Sequence, residues 1–424
     1  MRVEEVGRKY QMTKIKSFLS LSIIGMATPL VASINWDEWR GPTRDGMVHK
    51  GAQVWPEKLS KENFKKAWSV ELAEGYASPI VFGERVFTVE TKDKKEEIVR
   101  AFDRKSGKQL WESSWEGSMK VPFYAARNGS WVRSTPACDG KYLYVGGMKD
   151  VLVALDVTTG KVKWRADFPQ DEGTQKPQFG FVCSPLLGKD HLYAQVGSAL
   201  RKIRKSDGKT VWKTLEDGRA MFGEAFSSPT RTTIGGKDQI LAQTRTLLAG
   251  VSPKNGKILW STPVKAFRGM NILTPTPIGD RVFTASYGGG TFWYEVKANE
   301  KGQSVTELWN DKVEGNMSSP VVIDGKVYLH GRDKRFHCID PEAKKILWST
   351  DKKYGDYWSM AVNGSRILAL DNRGILLLIE ADPGGFKLVS ELEVTGSPTW
   401  AHITICGDEV FVRDLKGLTS YRWK

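Results

Sequence analysis

A short sequence pattern recurs eight times along this chain and restricts its fold more than any other feature. Six of the units begin with a small hydroxyl residue followed by proline, and two begin with the related pairs Ser359-Met360 and Ala401-His402. Successive landmarks are 40 to 57 residues apart, and a turn signal containing Gly, Asp or Asn follows each of them. The six complete landmarks are Ser78-Pro79, Thr135-Pro136, Ser184-Pro185, Ser228-Pro229, Thr276-Pro277 and Ser319-Pro320. A repeat of this length indicates one supersecondary unit that is copied within a single architecture.

A tryptophan closes most of the units, and Leu392 stands in the eighth place. Between the landmarks, apolar residues alternate as in strands, without a sustained 3.6-residue period. Four short strands per unit are typical of a propeller blade. The sequence therefore predicts an all-β chain, an eight-bladed β-propeller of four-stranded antiparallel blades. The seven closing tryptophans are Trp68, Trp111, Trp164, Trp212, Trp260, Trp309 and Trp348.

The two ends of the repeat region predict how the ring closes. Trp68 comes before the first hydroxyl-proline landmark, and the last unit, from Ala401 to Trp423, has no closing tryptophan of its own. We expect the strand around 67–70 to complete the last blade, which pairs the two ends of the chain and removes an open sheet edge. The propeller is then expected to span residues 64–424, after an N-terminal extension at 34–63.

The amino terminus has the layout of a secretory signal. Lys14 and Lys16 precede an apolar run at 18–26, and the small residues Ala32 and Ser33 follow. The run is shorter than the roughly 20 residues of a membrane-spanning helix. We expect residues 1–33 to be a signal peptide, with Met12 as an alternative start; the competing interpretation is an amphipathic helix of the folded domain. With no cysteine near the exit site to carry a lipid anchor, the mature chain is expected to be periplasmic or secreted. We also expect it to be a monomer.

Composition and charge narrow the classes of partner. The chain has 40% apolar residues, which excludes disorder, and a formal net charge of +14, which favours anionic partners. Candidates are acidic polysaccharide, phosphorylated lipid headgroups and nucleic acid. Because no nucleic-acid-binding motif is present and export is expected, we expect an envelope protein or an anionic polysaccharide instead. The four cysteines show no CxxC pair, so buried thiols are expected, although one pair could bridge in an oxidising compartment.

Two segments resemble a known family. The string from Ala154 to Trp164, ALDVTTGKVKW, resembles the tryptophan-docking repeat of the quinoprotein propellers, and 101–111 is a near copy. The head segment from Trp36 to Gly46 is similar to the start of secreted PQQ-like repeat proteins, often from planctomycete-type bacteria. The resemblance implies either a dehydrogenase that holds pyrroloquinoline quinone (PQQ) or a cofactor-free scaffold like BamB, which acts in outer-membrane protein assembly. The chain lacks the adjacent cysteines of the alcohol dehydrogenases and the lipid-bearing cysteine of BamB lipoproteins.

A propeller usually binds its ligand in the funnel where the innermost strands begin. The loops before the landmarks contain aromatic residues and an arginine, which can hold a planar anionic ligand by stacking and forked hydrogen bonds. The alternative is that these aromatics plug the ring or face a protein partner. The residues that we single out for binding are Tyr76, Trp131, Arg133, Phe226, Trp358 and Trp400.

The same loops supply the oxygen ligands that a calcium ion would need. Glu224, Asn316 and Asp356 are the candidates if the funnel holds Ca²⁺ beside PQQ, with Arg133 on the quinone. The five histidines show no metal-binding spacing, so no transition-metal site is expected. The interpretation that we favour is a non-catalytic binding or scaffolding propeller of the cell envelope, with no catalytic residues and no cofactor. The alternatives are a PQQ-dependent alcohol or sugar dehydrogenase and a carbohydrate-binding propeller.

Overall fold

The computed structural model describes residues 1, 35–49, 52, 54–216, 225–300 and 302–423. Within these residues, 32 strands form eight separate four-stranded antiparallel sheets, which are the blades of a closed ring. The predicted eight-bladed β-propeller is therefore confirmed. Nearly all of the expected signal peptide, residues 2–33, lies outside the described residues. No helix in the described part of the chain is long and apolar enough to cross a bilayer.

Blades 1 to 4 each add their strands from the centre of the ring outward. Blade 1 is β2 (Ile80–Phe82), β3 (Arg85–Lys92), β4 (Glu96–Asp103) and β5 (Gln109–Glu116). Blade 2 is β6 (Ala137–Cys138), β7 (Tyr142–Gly147), β8 (Val151–Asp156) and β9 (Val162–Asp167). Blade 3 is β10 (Leu186–Leu187), β11 (His191–Val196), β12 (Ala199–Arg204) and β13 (Thr210–Thr214). Blade 4 is β14 (Thr230–Ile234), β15 (Lys237–Gln243), β16 (Leu247–Val251) and β17 (Ile258–Pro263).

Blades 5 to 7 follow the same order. Blade 5 is β18 (Thr276–Ile278), β19 (Arg281–Ser286), β20 (Gly290–Asn299) and β21 (Gly302–Asp311). Blade 6 is β22 (Val321–Ile323), β23 (Lys326–His330), β24 (Phe336–Asp340) and β25 (Lys345–Ser349). Blade 7 is β26 (Trp358–Asn363), β27 (Arg366–Asp371), β28 (Ile375–Glu380) and β29 (Lys387–Glu393). The connections hold the helix α1 (Phe168–Glu172) and the 3₁₀ turns Phe123–Asn128 and Phe267–Gly269.

Blade 8 joins the two ends of the chain. It contains β30 (Thr404–Cys406), β31 (Glu409–Arg413) and β32 (Gly417–Trp423), and its outermost strand is β1 (Phe64–Glu71). β1 runs antiparallel to β32, with Phe64 opposite Trp423 and Glu71 opposite Gly417. The expected ring closure by the strand around 67–70 is therefore confirmed.

The middle strands of the blades are apolar on both faces because neighbouring blades cover both. In β28 the four leucine and isoleucine side chains from Leu376 to Ile379 are all buried, although they point alternately to opposite faces. The outer strand β29 instead alternates between exposed and half-buried positions. All four cysteines are buried thiols in these interiors, as expected.

The hydroxyl-proline landmarks explain how the blades are joined near the axis. At each of the eight blade junctions a Ser or Thr hydroxyl makes a hydrogen bond with the backbone of the adjacent blade. The Ser78 N–H donates to Thr135 Oγ1 at 3.0 Å, and the Thr135 N–H donates to Ser184 Oγ at 3.1 Å. We call this set the hydroxyl belt; its remaining bonds are Ser184 N to Ser228 Oγ, Thr274 Oγ1 to Ser228 O, Thr274 N to Ser319 Oγ, Trp358 N to Ser318 Oγ, Ile403 N to Ser359 Oγ and His402 N to Ser78 Oγ.

The tryptophans join the blades farther from the axis. The Trp111 indole N–H donates to the Val157 carbonyl of the next blade at 3.0 Å, and Trp164 makes the same bond to Lys205 at 2.7 Å. The indole of Trp111 lies against Gly160, whose φ of +70° and lack of a side chain let the turn approach; a Cβ there would come within 2.5 Å of the ring. The glycine of the Gly-Lys turn thus makes room for the tryptophan of the preceding blade.

The indole lies against a glycine of the next blade at four junctions, and two of the other junctions show what replaces it. The bulge in blade 7 places Ser390 opposite Leu378, so Ser390 occupies the tryptophan position and the expectation of Leu392 was wrong by two residues. Here the N-terminal extension contributes instead: Trp55 is buried beside Trp423, and the Leu59 N–H donates to Ser390 Oγ at 2.7 Å.

The junction between blades 4 and 5 uses a polar network. The Trp260 indole N–H donates to Gln239 Oε1 of its own blade at 2.6 Å. Gln303, from the long outer hairpin of blade 5, accepts a hydrogen bond from Gln239 Nε2 at 3.3 Å and donates to the Ile234 carbonyl at 2.8 Å. Amide side chains therefore join these two blades at the place where the junction of blades 1 and 2, for example, uses an indole and a glycine.

The head segment, Trp36 to Gly46, lies in the channel of the ring. Trp36 exchanges two backbone hydrogen bonds with Val81 of blade 1, each 2.9 Å long. The guanidinium of Arg44 donates to the Ser184 and Pro185 carbonyls of blade 3 and to the carboxylate of Glu38. Arg40 donates to the Pro320 carbonyl of blade 6. One short segment thus ties together inner strands from opposite sides of the ring.

Removal of one belt hydroxyl should measurably destabilise the ring. In Thr135→Val the shape of the side chain is kept, but the buried Ser78 N–H loses its acceptor, which should cost about 1–3 kcal/mol in the free energy of unfolding. The exposed Thr158→Val is the matched control and should stay within about 0.5 kcal/mol of the wild type. Chemical denaturation of both variants tests this; equal stabilities would contradict the role assigned to the belt.

His402 should make stability depend on pH. Burial, helped by nearby Arg40, lowers its pKa to about 3, whereas an unfolded histidine titrates near 6.5. As the pH falls below 6.5 the unfolded chain binds a proton that the folded chain rejects, so stability falls by up to about 1.4 kcal/mol per pH unit. We expect His402→Gln to reduce this slope between pH 6.5 and 4.5 in denaturation curves. An unaltered slope in His402→Gln would refute the assignment.

Candidate functional site

A cavity of about 230 Å³ lies at the centre of the ring, where the innermost strands begin. The hydroxyl belt forms part of its wall, through Ser78, Thr135, Ser184, Ser228 and Ser319. Its floor is Trp39 of the head segment, whose ring meets His402 edge-on with 6.2 Å between the ring centroids. Because the head segment occupies the channel below, the cavity is a cup inside the ring.

Aromatic side chains from successive connections surround the cup. Tyr357 stacks on Trp400 with 5.8 Å between centroids and 15° between planes, and Trp400 in turn contacts Tyr76. On the other side, Phe179 packs edge-on against Phe226 at 5.5 Å. Met270, Ile272 and Met317 complete the apolar part of the lining. The arrangement offers flat rings and flexible apolar side chains to a ligand.

Positive charge lies beside these rings. The guanidinium of Arg133 is 5.3 Å from the centre of the Tyr76 ring and donates to the Gly129 carbonyl at 2.6 Å. The guanidinium of Arg245 is 4.2 Å from the centre of the Phe226 ring. Cations over aromatic faces are favourable contacts, and here they also make the surroundings of the cup attractive to an anion.

The pKa values of the tyrosines and the histidine that line the cup lie far from neutral pH. Burial raises the pKa of Tyr76 to about 12, with Arg133 opposing the shift, and burial also raises the pKa of Tyr357. His402 is held neutral by the burial that lowers its pKa to about 3. A general acid or base works best with a pKa near the working pH. The described residues of the cup can therefore stack, donate hydrogen bonds and attract charge, but none of them is tuned to exchange a proton near pH 7.

The structure brings four of the six predicted binding residues to the cup: Tyr76, Arg133, Phe226 and Trp400. Trp131 lies behind the lining, edge-on to Tyr76 at 5.3 Å. Trp358 is fully buried between blades, where it stacks on His330 at 4.8 Å, and its neighbour Tyr357 faces the cavity instead.

The three candidate calcium ligands are not brought together in the described part of the chain. Glu224 lies outside the described residues. Met317, and not Asn316, lines the cup, and the carboxylate of Asp356 forms an ion pair with Lys334 at 2.8 Å. Among the described residues, no three His, Cys, Asp or Glu side chains gather closely enough to hold a metal ion.

Some lining residues could not be identified from the repeat. Trp39 belongs to the head segment, which is not part of the repeat, and only its aromatic string could have drawn attention to it. Phe179, Met270 and Ile272 lie in connections of variable length, where the repeat gives no alignment. Tyr357 is adjacent to the predicted Trp358, and a shift of one residue along a strand reverses the face.

Comparisons with known proteins agree with this architecture. The sequence profile of the family described as "Outer membrane protein assembly factor BamB" matches residues 94–350. The chain is 21% identical over 364 residues to the outer membrane protein assembly factor BamB of Yersinia pestis, covering 83% of this chain and 87% of that protein.

Two solved structures show the same fold. BamB from Moraxella catarrhalis superposes with a TM-score of 0.61 at 14% identity, covering 85% of this chain and 98% of the other. The quinohemoprotein alcohol dehydrogenase ADHIIG of Pseudomonas putida HK5 superposes with a TM-score of 0.62 at 13% identity, covering 92% and 80%. At such identities the likeness concerns the fold alone. Because the profile match spans more than half of the chain, this protein belongs to the family of PQQ-like repeat propellers described as outer membrane protein assembly factor BamB.

Proposed function

We propose that this chain is a non-catalytic binding and scaffolding propeller of the bacterial cell envelope, where it assists outer-membrane protein assembly. The observation that carries the proposal is the cup: a preformed aromatic cavity with cations beside it and no described group tuned for proton transfer near neutral pH. We take the role in outer-membrane protein assembly from the names of the BamB relatives, and the periplasmic or secreted location from the expected signal peptide.

The ring provides the rigidity that such a module needs. Its lining residues come from connections of all eight blades, and the hydroxyl belt fixes the spacing of those connections. A partner that inserts an apolar or aromatic group into the cup loses little free energy to reorganisation of the protein, which is the advantage of a preformed site. An envelope protein is the partner that we favour; an anionic polysaccharide would use the same rings and the Arg133 guanidinium.

A second candidate is the PQQ-dependent dehydrogenase. It is favoured by the flat Tyr357–Trp400 stack, which could support a planar ligand, and by the shared fold of the alcohol dehydrogenase from Pseudomonas putida. The described part of the proposed calcium set does not fit, because Asn316 and Asp356 are not among the residues that line the cup and Asp356 pairs with Lys334. We therefore place this function second.

Loss of the protein should lower the content of β-barrel proteins in the outer membrane of its native host. We expect a wild-type copy to restore that content and the double variant Tyr76→Leu, Arg133→Ala to fail, since removing an interface hot spot costs about 2 kcal/mol or roughly thirtyfold in affinity. Arg165→Ala, on the outer strand of blade 2, is the matched control. Quantitative proteomics of outer-membrane fractions gives the readout, with thermal melting to show that each variant folds. An unchanged outer membrane in the deletion strain would refute the proposal.

Purified protein should not retain PQQ. After incubation with PQQ and Ca²⁺, we expect the quinone absorbance to separate from the protein on gel filtration, and no alcohol or sugar to reduce a redox dye. One-to-one retention of the quinone together with dye reduction would replace the scaffold by the dehydrogenase. In that event Arg133→Ala should weaken retention, which would identify the cup as the quinone site.

A further inference from the structure

The polar part of the cup lining consists almost entirely of groups that can donate a hydrogen bond. It comprises five hydroxyls of the hydroxyl belt, two phenols, two indoles, one guanidinium and the imidazole of His402. Indoles and guanidinium groups only donate, whereas hydroxyls and phenols can do both. The described residues of the lining include no carboxylate and no side-chain amide. The cup therefore offers many donors and few acceptors.

The belt hydroxyls of the lining have already used part of their accepting capacity. Each of the five oxygens accepts a hydrogen bond from a backbone N–H of an adjacent blade, at 2.7 to 3.4 Å. A hydroxyl that accepts through one lone pair still has its own hydrogen to donate. No described residue accepts a hydrogen bond from any of these hydroxyls. The five residues are Ser78, Thr135, Ser184, Ser228 and Ser319.

Burial makes these free donors significant. The five residues are between 2% and 8% exposed, and the cup is the open space that they line. A buried donor without an acceptor is costly, and water can satisfy it in an empty cavity. A ligand that displaces such water has to bring acceptor atoms in return. The belt hydroxyls therefore select ligands that are rich in acceptors.

The charges around the cup indicate that the acceptor is an anion. Arg133 is the one charged side chain among the described residues of the lining. Beneath the floor, the guanidinium groups of Arg40 and Arg44 lie 5.6 and 5.8 Å from the centre of the Trp39 ring. Arg44 forms an ion pair within the head segment, whereas Arg40 forms none with a described residue and Asp45 only partly offsets its charge. A single positive side chain in the lining suits a monoanion such as a carboxylate better than a phosphate with nearly two charges.

The rest of the lining requires an apolar body on the same ligand. Phe179 and Phe226 meet edge-on on one side of the cup, and Met270, Ile272 and Met317 continue that apolar surface. A sugar would bring as many hydroxyl donors as acceptors and would leave these side chains uncovered. An organic cation would find no carboxylate in the described lining. The combination of hydroxyl donors, one guanidinium and an apolar wall fits a carboxylate attached to a ring or an alkyl chain.

We propose that the cup binds a monocarboxylate with an aromatic or aliphatic body, whose carboxylate oxygens accept hydrogen bonds from the belt hydroxyls. The inference rests on the proposed function, because it names the ligand class of the same cup. A free carboxylic acid and the carboxyl terminus of a polypeptide share this chemistry. In both cases the apolar body packs against the rings and the methionines.

Three probes of nearly the same shape test the proposal on the full chain: 3-phenylpropionate, 3-phenylpropanamide and 3-phenylpropylamine. We expect calorimetry to show that the acid binds about tenfold or more tightly than the amide, since hydrogen bonds to a charged acceptor are the stronger ones. The amine should not bind measurably. Equal affinities for the acid and the amide, or no binding of the acid, would overturn the proposal.

A pair of belt variants separates ligand binding from stability. Ser228→Ala removes a donor from the cup together with an acceptor for the Ser184 N–H. The matched control is Ser359→Ala, which removes the same kind of bond, from the Ile403 N–H at 3.0 Å, at a residue outside the lining. Both should lower the melting temperature, but only Ser228→Ala should weaken binding of the acid, by about tenfold. Equal affinities for the acid in the two variants would contradict the role of the belt hydroxyls.

A further arm distinguishes the source of the carboxylate. The probes are N-acetyl-glycyl-phenylalanine with a free carboxyl terminus and the same peptide with a terminal amide. Preference for the free terminus supports the proposal with a polypeptide as the source, and binding of 3-phenylpropionate without the peptide supports it with a small acid. If the outer membrane depends on the protein but no carboxylate binds, this inference fails and the proposed function stands. Carboxylate binding with an unchanged outer membrane in the deletion strain gives the reverse result.

Discussion

The hydroxyl belt is the constraint on which the rest of this molecule depends. The innermost strands are only two or three residues long in most blades, so sheet hydrogen bonds alone hold the axis of the ring weakly. A Ser or Thr hydroxyl at each junction supplies a buried bond between adjacent blades, with Ser78, Thr135 and Ser184 forming an uninterrupted chain. Leaving any of these backbone groups unsatisfied would cost more than forming the bond contributes, so the belt specifies the packing of the blades as much as it stabilises them. The same hydroxyls form the wall of the cup, and the shape of the site is therefore set by the closure of the ring.

Farther from the axis, a tryptophan indole bonds to the next blade at five of the eight junctions. The indole needs a carbonyl and a glycine on the next blade, as Trp111 finds at Val157 and Gly160, and so a blade removed from the ring would leave both partners exposed. The exceptions support this account. Where blade 7 has Ser390, the extension supplies Trp55 and the Leu59 N–H, and where blade 5 lacks the Gly-Lys turn, amides take over. At these two junctions, hydrogen bonds from other parts of the chain replace the indole–carbonyl bond.

Features that repeat along the sequence could be predicted from it, whereas contacts between segments far apart in the chain could not. The landmarks and tryptophans repeat, so the repeat alone was enough to predict eight blades and the closing strand β1. Tyr76, Arg133, Phe226 and Trp400 could be placed at the cup because each stands one or two residues before a landmark. The prediction of Trp358 missed by one residue, since the landmark of blade 7 has lost its proline and strand alternation then decides between Tyr357 and Trp358.

The head segment marks the limit of that reasoning. Its contacts join residues about 140 positions apart, as between Arg44 and Ser184, and no local pattern announces them. Through Trp39 it forms the floor of the cup, so the depth of the site is set by a segment that the repeat does not encode.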